Sequence, residues 1–314
     1  MSTIINRKTR VHHNKLKDDM PIAVKLIAYV CTTLFSVTCI VPLLMCISSS
    51  FTSEEALGKY GYGVIPMDFS LEAYKYIARN GAQIWQAYGV TIFITVTGVL
   101  FGLFVMSMFS YAITRPSFPW KNQFGFFSYF TMLFSGGLVA SYMVNTTIYG
   151  LRDTILILIL TGSVGAYNIL LMRTYMRTSI PHEVIESAEI DGAGAFMCYF
   201  TIALPMAVPM LATIALFMTV GYWNNWNTGM LYLVERNDLA PIQLVLKRIE
   251  NNINFLAQAE QNMSSIDFDK AHETVPAEAF RMALTVMVAL PMLVSYPFFQ
   301  KFFINGITVG AVKG

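Results

Sequence analysis

SIPHEVIESAEIDGAGAFMCYFTIALPMAVP, residues 179–209, decides how the chain is read. Apolar runs flank it on both sides, yet Glu183, Glu186, Glu189 and Asp191 crowd its first half. A carboxylate near a bilayer centre costs on the order of a few kcal/mol, so this segment lies outside lipid. Ser179 reads as an N-cap, Pro181 is allowed in a first turn, and acids early in a helix suit its dipole. Ile185, Ala188, Glu189 and Gly192 fall at i, i+3, i+4 and i+7, a narrow face of small residues suited to close approach by another protein. Gly192 and Gly194 permit a sharp corner before an apolar segment resumes near Phe196. The pattern predicts a short helix and a turn, presented as a knob to something in solution.

The surrounding composition is that of a membrane protein. Of 314 residues, 55% are hydrophobic and 13% charged, against roughly a quarter charged in a soluble domain. A net charge of +2 gives no footprint for nucleic acid. Cys31, Cys39, Cys46 and Cys198 follow no metal-ligand spacing and no disulfide framework.

Six apolar runs are expected to cross the bilayer. They are 26–47, 84–113, 124–144, 154–172, a fifth from Pro205 to about Tyr222, and 282–303. Arg7, Lys8, Arg10, Lys15, Lys17 and Lys25 precede the first run and place the N-terminus in the cytoplasm. Arg115 and Lys121, then Arg173 and Arg177, mark returns to the same side, and Lys301 and Lys313 end the chain there. Residues 48–83 and 223–278 form outer segments, the stretch 235–278 carrying eight acids and four bases. Gly98-x-x-x-Gly102 in the second run lets helices pack closely. Ser135-Gly136-Gly137 interrupts the third, and Pro205 and Pro209 kink the start of the fifth. The chain thus divides into a tail (1–25), a first helix with its outer segment (26–83), a core (84–304) and a second tail (305–314).

Glu186-Ser187-Ala188, Asp191-Gly192-Ala193 and Ile202-Ala203-Leu204-Pro205 resemble the EAA loop of permease subunits in binding-protein-dependent (type I) ABC importers. The spacing of that motif is met throughout, with Ser187 at its second letter, where alanine is usual. Ser135-Gly136-Gly137-Leu138, Tyr222-Trp223-Asn224 and the Gly310-Ala311-Val312-Lys313-Gly314 ending resemble the carbohydrate-uptake branch, the maltose-type permeases. The resemblance implies an all-α membrane fold of six helices with both termini cytoplasmic and a cytoplasmic coupling helix. It implies that Ile185, Glu186, Ser187, Ala188, Asp191, Gly192, Ala193, Leu204 and Pro205 couple the chain to an ATPase. Glu186 would pair with a basic residue there. Further implied partners are a second permease subunit, related and non-identical, two copies of the ATPase, and an extracytoplasmic solute-binding protein in a bacterial inner membrane.

Two features of the residues point the same way. No Lys, Arg, Asp, Glu or His falls within the six runs apart from Lys301 near the end of the last, whereas proton-coupled transporters and intramembrane hydrolases need such groups. No G-x-x-x-x-G-K-[ST] loop is present to cradle phosphates, so this chain carries no cofactor of its own and ATP and Mg belong to a partner. A pore for sugar would use amides and aromatic faces, and Tyr167, Asn168, Trp223, Asn224 and Asn225 are the candidates. An interfacial belt is the alternative for the aromatics, and a helix–helix bond for Asn168. The expectation is a sugar permease, with a non-sugar solute or an ion-coupled transporter as alternatives.

Overall fold

The computed structural model describes residues 21–262 and 277–311. Of the basic tail used to orient the chain, Arg7 to Lys17 lie outside the described residues, as does the closing Val312-Lys313-Gly314. Among the described residues every regular element is helical, apart from one isolated bridge between Thr52 and Phe69.

The first two runs form α1 (Ile22–Ser50) and α4 (Ala82–Thr114), each longer than the roughly 20 residues that hydrocarbon requires. Between them lie α2 (Glu54–Tyr60) and α3 (Glu72–Asn80). Ser53 caps α2 by accepting from the Ala56 amide, Glu54 and Glu55 sit in its first turn, and Gly61 ends it at a φ of 72°. The middle of α1 is exposed all round, as expected of a helix bathed in lipid, and it packs against the last helix.

The third run is bent sharply. Helix α5 (Lys121–Leu133) meets α6 (Gly137–Met143), which continues as a π-turn over Val144–Ile148, at 115°. Gly137 sits at the corner with a φ of +82°, a conformation closed to most side chains. The fourth run differs from the expected continuous span. It forms α7 (Ile155–Leu160) and α8 (Ala166–Ser179), separated at residues 161–165, where Gly162, Ser163 and Gly165 break an otherwise apolar helix. Ser179 is therefore the last residue of α8, and the N-cap of α9 (His182–Ile190) is Pro181, with no side-chain bond. The expectation that Ser179 caps this helix fails because α8 runs on to Ser179, seven residues past the end of the apolar run at 172.

The fifth run is α10 (Ala195–Cys198), a π-turn at Tyr199–Ala203, α11 (Leu204–Met206) and α12 (Val208–Trp223), bent by 74°. Pro205 and Pro209 lack the amides that would bond Thr201 and Pro205, so a kink here is the expected result. Then come α13 (Asn227–Tyr232), α14 (Ile242–Asn262) and α15 (Ala277–Ala311), which runs through Pro291 and Pro297. By length and composition α1, α4 and the 278–297 part of α15 can each cross a membrane, and the two bent pairs raise the number to five.

Helix α4 is the axis. It packs on α8 and α12 through its middle and second half, and on α7 and α14 nearer its start. Gly98 and Gly102 make this possible: a Cβ would stand 2.3 Å from the Tyr222 ring at the first and 2.1 Å from the Ser163 carbonyl oxygen at the second. Two apolar cores result, one at each end of α4. The first gathers Ile77, Ile84, Ile94, Ile157, Ile242 and Leu284; the second gathers Met106, Ile113, Met172, Ile185, Tyr199 and Ile214. Polar groups freed by the breaks find partners, as a low-dielectric interior demands. The Ser163 amide turns to Leu160, which frees the Ile159 carbonyl to accept from the Tyr222 hydroxyl. Trp223 Nε1 donates to the Val288 carbonyl at 3.0 Å, tying α12 to α15.

Candidate coupling site

Helix α9 ends in a Schellman motif. The Gly192 amide donates to the Glu189 carbonyl at 3.0 Å and the Ala193 amide to the Ala188 carbonyl at 2.9 Å. Gly192 takes a φ of +90°, which an L side chain adopts only under strain. The corner turns the chain through Gly194 into α10.

The orientation of α9 corrects one expectation. Ile185, Ala188 and Glu189 do not form the free face. Ile185 is buried in the second core, Ala188 packs against it, and Glu189 reaches to Arg115 at the end of α4. Apolar burial and a buried cation draw that side inward. The face left in solution is Glu183, Glu186, Ser187 and Ile190, again at helical spacing, with Ile190 86% exposed. An exposed isoleucine framed by carboxylates is complementary to a surface with basic groups around an apolar notch.

The other expected coupling residues divide in the same way. Asp191 and Gly192 are exposed at the corner, and Pro205 at the bend before α12. Ala193 and Leu204 lean on the second core and hold α9 and α10 to the bundle. Between α4 and α10 opens a cleft of about 320 Å³, lined by Tyr111, Arg115, Phe118, Glu189, Phe196 and Tyr199.

The candidate pathway residues are not brought to one place. Tyr167 is 59% exposed in the first turn of α8, directly after the break, with Asn168 half-buried beside it. Trp223 is buried. Asn224 is exposed at the end of α12 and accepts from Gln243 Nε2 at 3.2 Å. Asn225 closes a turn, accepting from the Thr228 amide at 3.0 Å and donating to its hydroxyl at 2.9 Å.

At the other end of the bundle two carboxylates do work that no motif announces. Asp153, at a φ of 55°, accepts from the amides of Val234 (2.7 Å), Glu235 (2.9 Å) and Arg236 (3.2 Å). These bonds, that from Glu235 foremost, hold its carboxyl below the usual range. Glu54 accepts from the amides of Glu278 and Ala279, both at 2.9 Å, capping the start of α15 from 224 residues away. The Tyr62 hydroxyl, bonded to Glu278, is pushed up by burial and then by that carboxylate.

Long apolar helices, two sharp bends and a short acidic helix with one face on the bundle and the other in the open define a polytopic membrane protein. The chain belongs to the family of binding-protein-dependent transport system inner membrane components, which matches residues 98–309. It is 34% identical over 283 residues to the polygalacturonan/rhamnogalacturonan transport system permease protein YtcP of Bacillus subtilis, covering 90% of this chain and 95% of that one. It is 27% identical over 280 residues to the arabinooligosaccharides transport system permease protein AraQ of Halalkalibacterium halodurans, covering 87% and 91%. Among solved structures, it resembles a chain of a bacterial ABC transporter involved in the import of the acidic polysaccharide alginate. The TM-score there is 0.78 at 28% identity, over 90% of this chain and 96% of the other.

Proposed function

We propose that this chain is the membrane-spanning permease subunit of an ATP-driven importer, forming half of the pathway for an oligosaccharide delivered by an extracytoplasmic binding protein. The observation that carries the reading is the Glu183, Glu186, Ser187 and Ile190 ridge on α9, set at the Gly192 corner of a chain whose relatives are sugar permeases.

In this reading the chain crosses a bacterial cytoplasmic membrane six times with both ends inside, α7 and α8 together making the fourth crossing. The tails are 1–25 and 305–314, and the core is 84–304. Six crossings enclose too little space for a sugar, so a second, related and non-identical permease completes the pore. Two cytoplasmic ATPase subunits bind ATP and Mg, and this chain holds neither. Glu186 pairs with a basic group on its ATPase, and Ser187, Asp191 and Gly192 keep the approach close. ATP favours the closed ATPase pair, and that differential affinity shifts the pore from inward-open to outward-open. Tyr167 and Asn168, at the break in the fourth run, lie on the pathway, with Asn224 at its outer mouth. Trp223 and Asn225 support that mouth by fixing α12 to α15 and closing the turn after it.

Proteoliposomes holding the whole transporter, with ATP inside, test this against an ion-coupled mechanism. Uptake of labelled oligosaccharide is expected to require ATP and to persist when ionophores collapse the gradients. Uptake abolished by ionophores and indifferent to ATP would overturn it.

A further inference from the structure

The Gly192–Gly194 corner that makes α9 a knob also makes it a poor lever, because a turn with few side chains transmits little torque to α10. At its other end α9 joins α8 through Ile180 and Pro181 alone. A third connection bypasses both. Arg115 is the residue at which α4 ends, and its side chain folds back under the helix with 9% exposure, 5.6 Å from the centre of the Tyr111 ring. Its Nη2 donates to Glu189 Oε1 on α9, 74 residues along the chain. Arg115 is thus a buried cation whose countercharge is supplied by α9, while Glu189 stays 41% exposed. Helix α4 then runs 33 residues, roughly 50 Å, to the core at the opposite end of the bundle.

We infer that the Arg115–Glu189 ion pair is the tie through which a displacement of α9 reaches α4, and that Arg115 is a positioning residue for transport. The inference rests on the reading of α9 as the ATPase-docking helix, and assigns Glu189 to a role distinct from that of the exposed Glu186. A charge-assisted hydrogen bond from a buried guanidinium, beside the Tyr111 ring, is directional and costly to break, which an apolar contact such as Ile185 is not.

The test uses the complete transporter in proteoliposomes and reads solute moved per ATP hydrolysed. Glu189→Gln is expected to keep its ATPase through purification and to hydrolyse ATP, while solute per ATP falls about tenfold, a size usual for coupling between sites. Arg115→Gln combined with Glu189→Gln removes the buried charge along with its partner, so it covers the case in which the single change fails to fold, and it must be uncoupled too. A merely structural role would lower yield without moving this ratio. Wild-type solute per ATP in the assembled variants would overturn the inference, and so would loss of the ATPase from Glu189→Gln, which would make Glu189 a docking contact. Neither result touches the proposed function. Only a wild type without an ATPase or ATP-dependent uptake does that.

Discussion

Replacing Gly102 by alanine places a methyl group 2.1 Å from the Ser163 carbonyl oxygen and 2.4 Å from Met218 Cε. Ordinary contact begins near 3.4 Å, so one wall must retreat by more than 1 Å. The methionine end can swing away. The carbonyl cannot, because it is backbone in the break between α7 and α8. Overpacking of this kind costs about 1–3 kcal/mol, and alanine returns about 1 kcal/mol of helix propensity. The net is a loss of up to about 2 kcal/mol. Gly89 lies in the same helix with no atom within 4 Å of its would-be Cβ, so there the propensity gain stands alone. The two variants are therefore expected to differ by about 1–3 kcal/mol, at roughly 2–4 °C per kcal/mol. Thermal unfolding of the detergent-purified protein, followed by tryptophan fluorescence, reads the difference. Gly98→Ala is expected between them, since it meets the Tyr222 ring, whose hydroxyl is held by Ile159. A midpoint for Gly102→Ala equal to or above that of Gly89→Ala would refute the close packing of α4 on the break.

Two further expectations concern polar groups. Trp223→Phe removes the donor to the Val288 carbonyl and is expected to cost about 1 kcal/mol; an unchanged unfolding midpoint would show that this bond does not hold α12 to α15. Folding holds the Asp153 carboxyl below its ordinary 3.8, so its contribution is complete above that value and is lost as pH falls through the lowered one. Hydrogen-exchange protection of the Val234, Glu235 and Arg236 amides is expected to drop on acidification in the wild type, and to be low at every pH in Asp153→Ala. Protection that ignores both changes would show that the turn is held by something else.

How far the sequence reveals this arrangement depends on the range of the interaction. Local signals read well. The segment 183–191 announces a short helix, Gly192 marks the corner, and Ser135-Gly136-Gly137 and Pro205 mark the bends, because each acts within a turn of itself. The size of the bends is not local, since 115° and 74° depend on what the two halves pack against. The direction of α9 is hidden for the same reason. Helical spacing offers Ile185, Ala188 and Glu189 as one face, and the second core together with Arg115, brought in by α4, turns that face inward. The break in the fourth run was written in Gly162, Ser163 and Gly165, but hydropathy averages over it. Polarity likewise hides shorter helices: α2, α3 and α14 lie in stretches that read only as polar connections between apolar runs, and Asp153 and Glu54 bond amides 81 and 224 residues away.

The central claim is that α9 docks an ATPase, and purification of the chain with its partners measures it directly. Gly192→Pro cannot adopt a φ of +90° and loses the amide that bonds Glu189, so the corner opens. Glu186→Lys reverses a charge on the exposed ridge without touching the cores. The wild type is expected to retain an ATPase and to take up oligosaccharide, and both variants to lose the two together. A wild type that carries no ATPase, with variants that transport normally, would contradict the account.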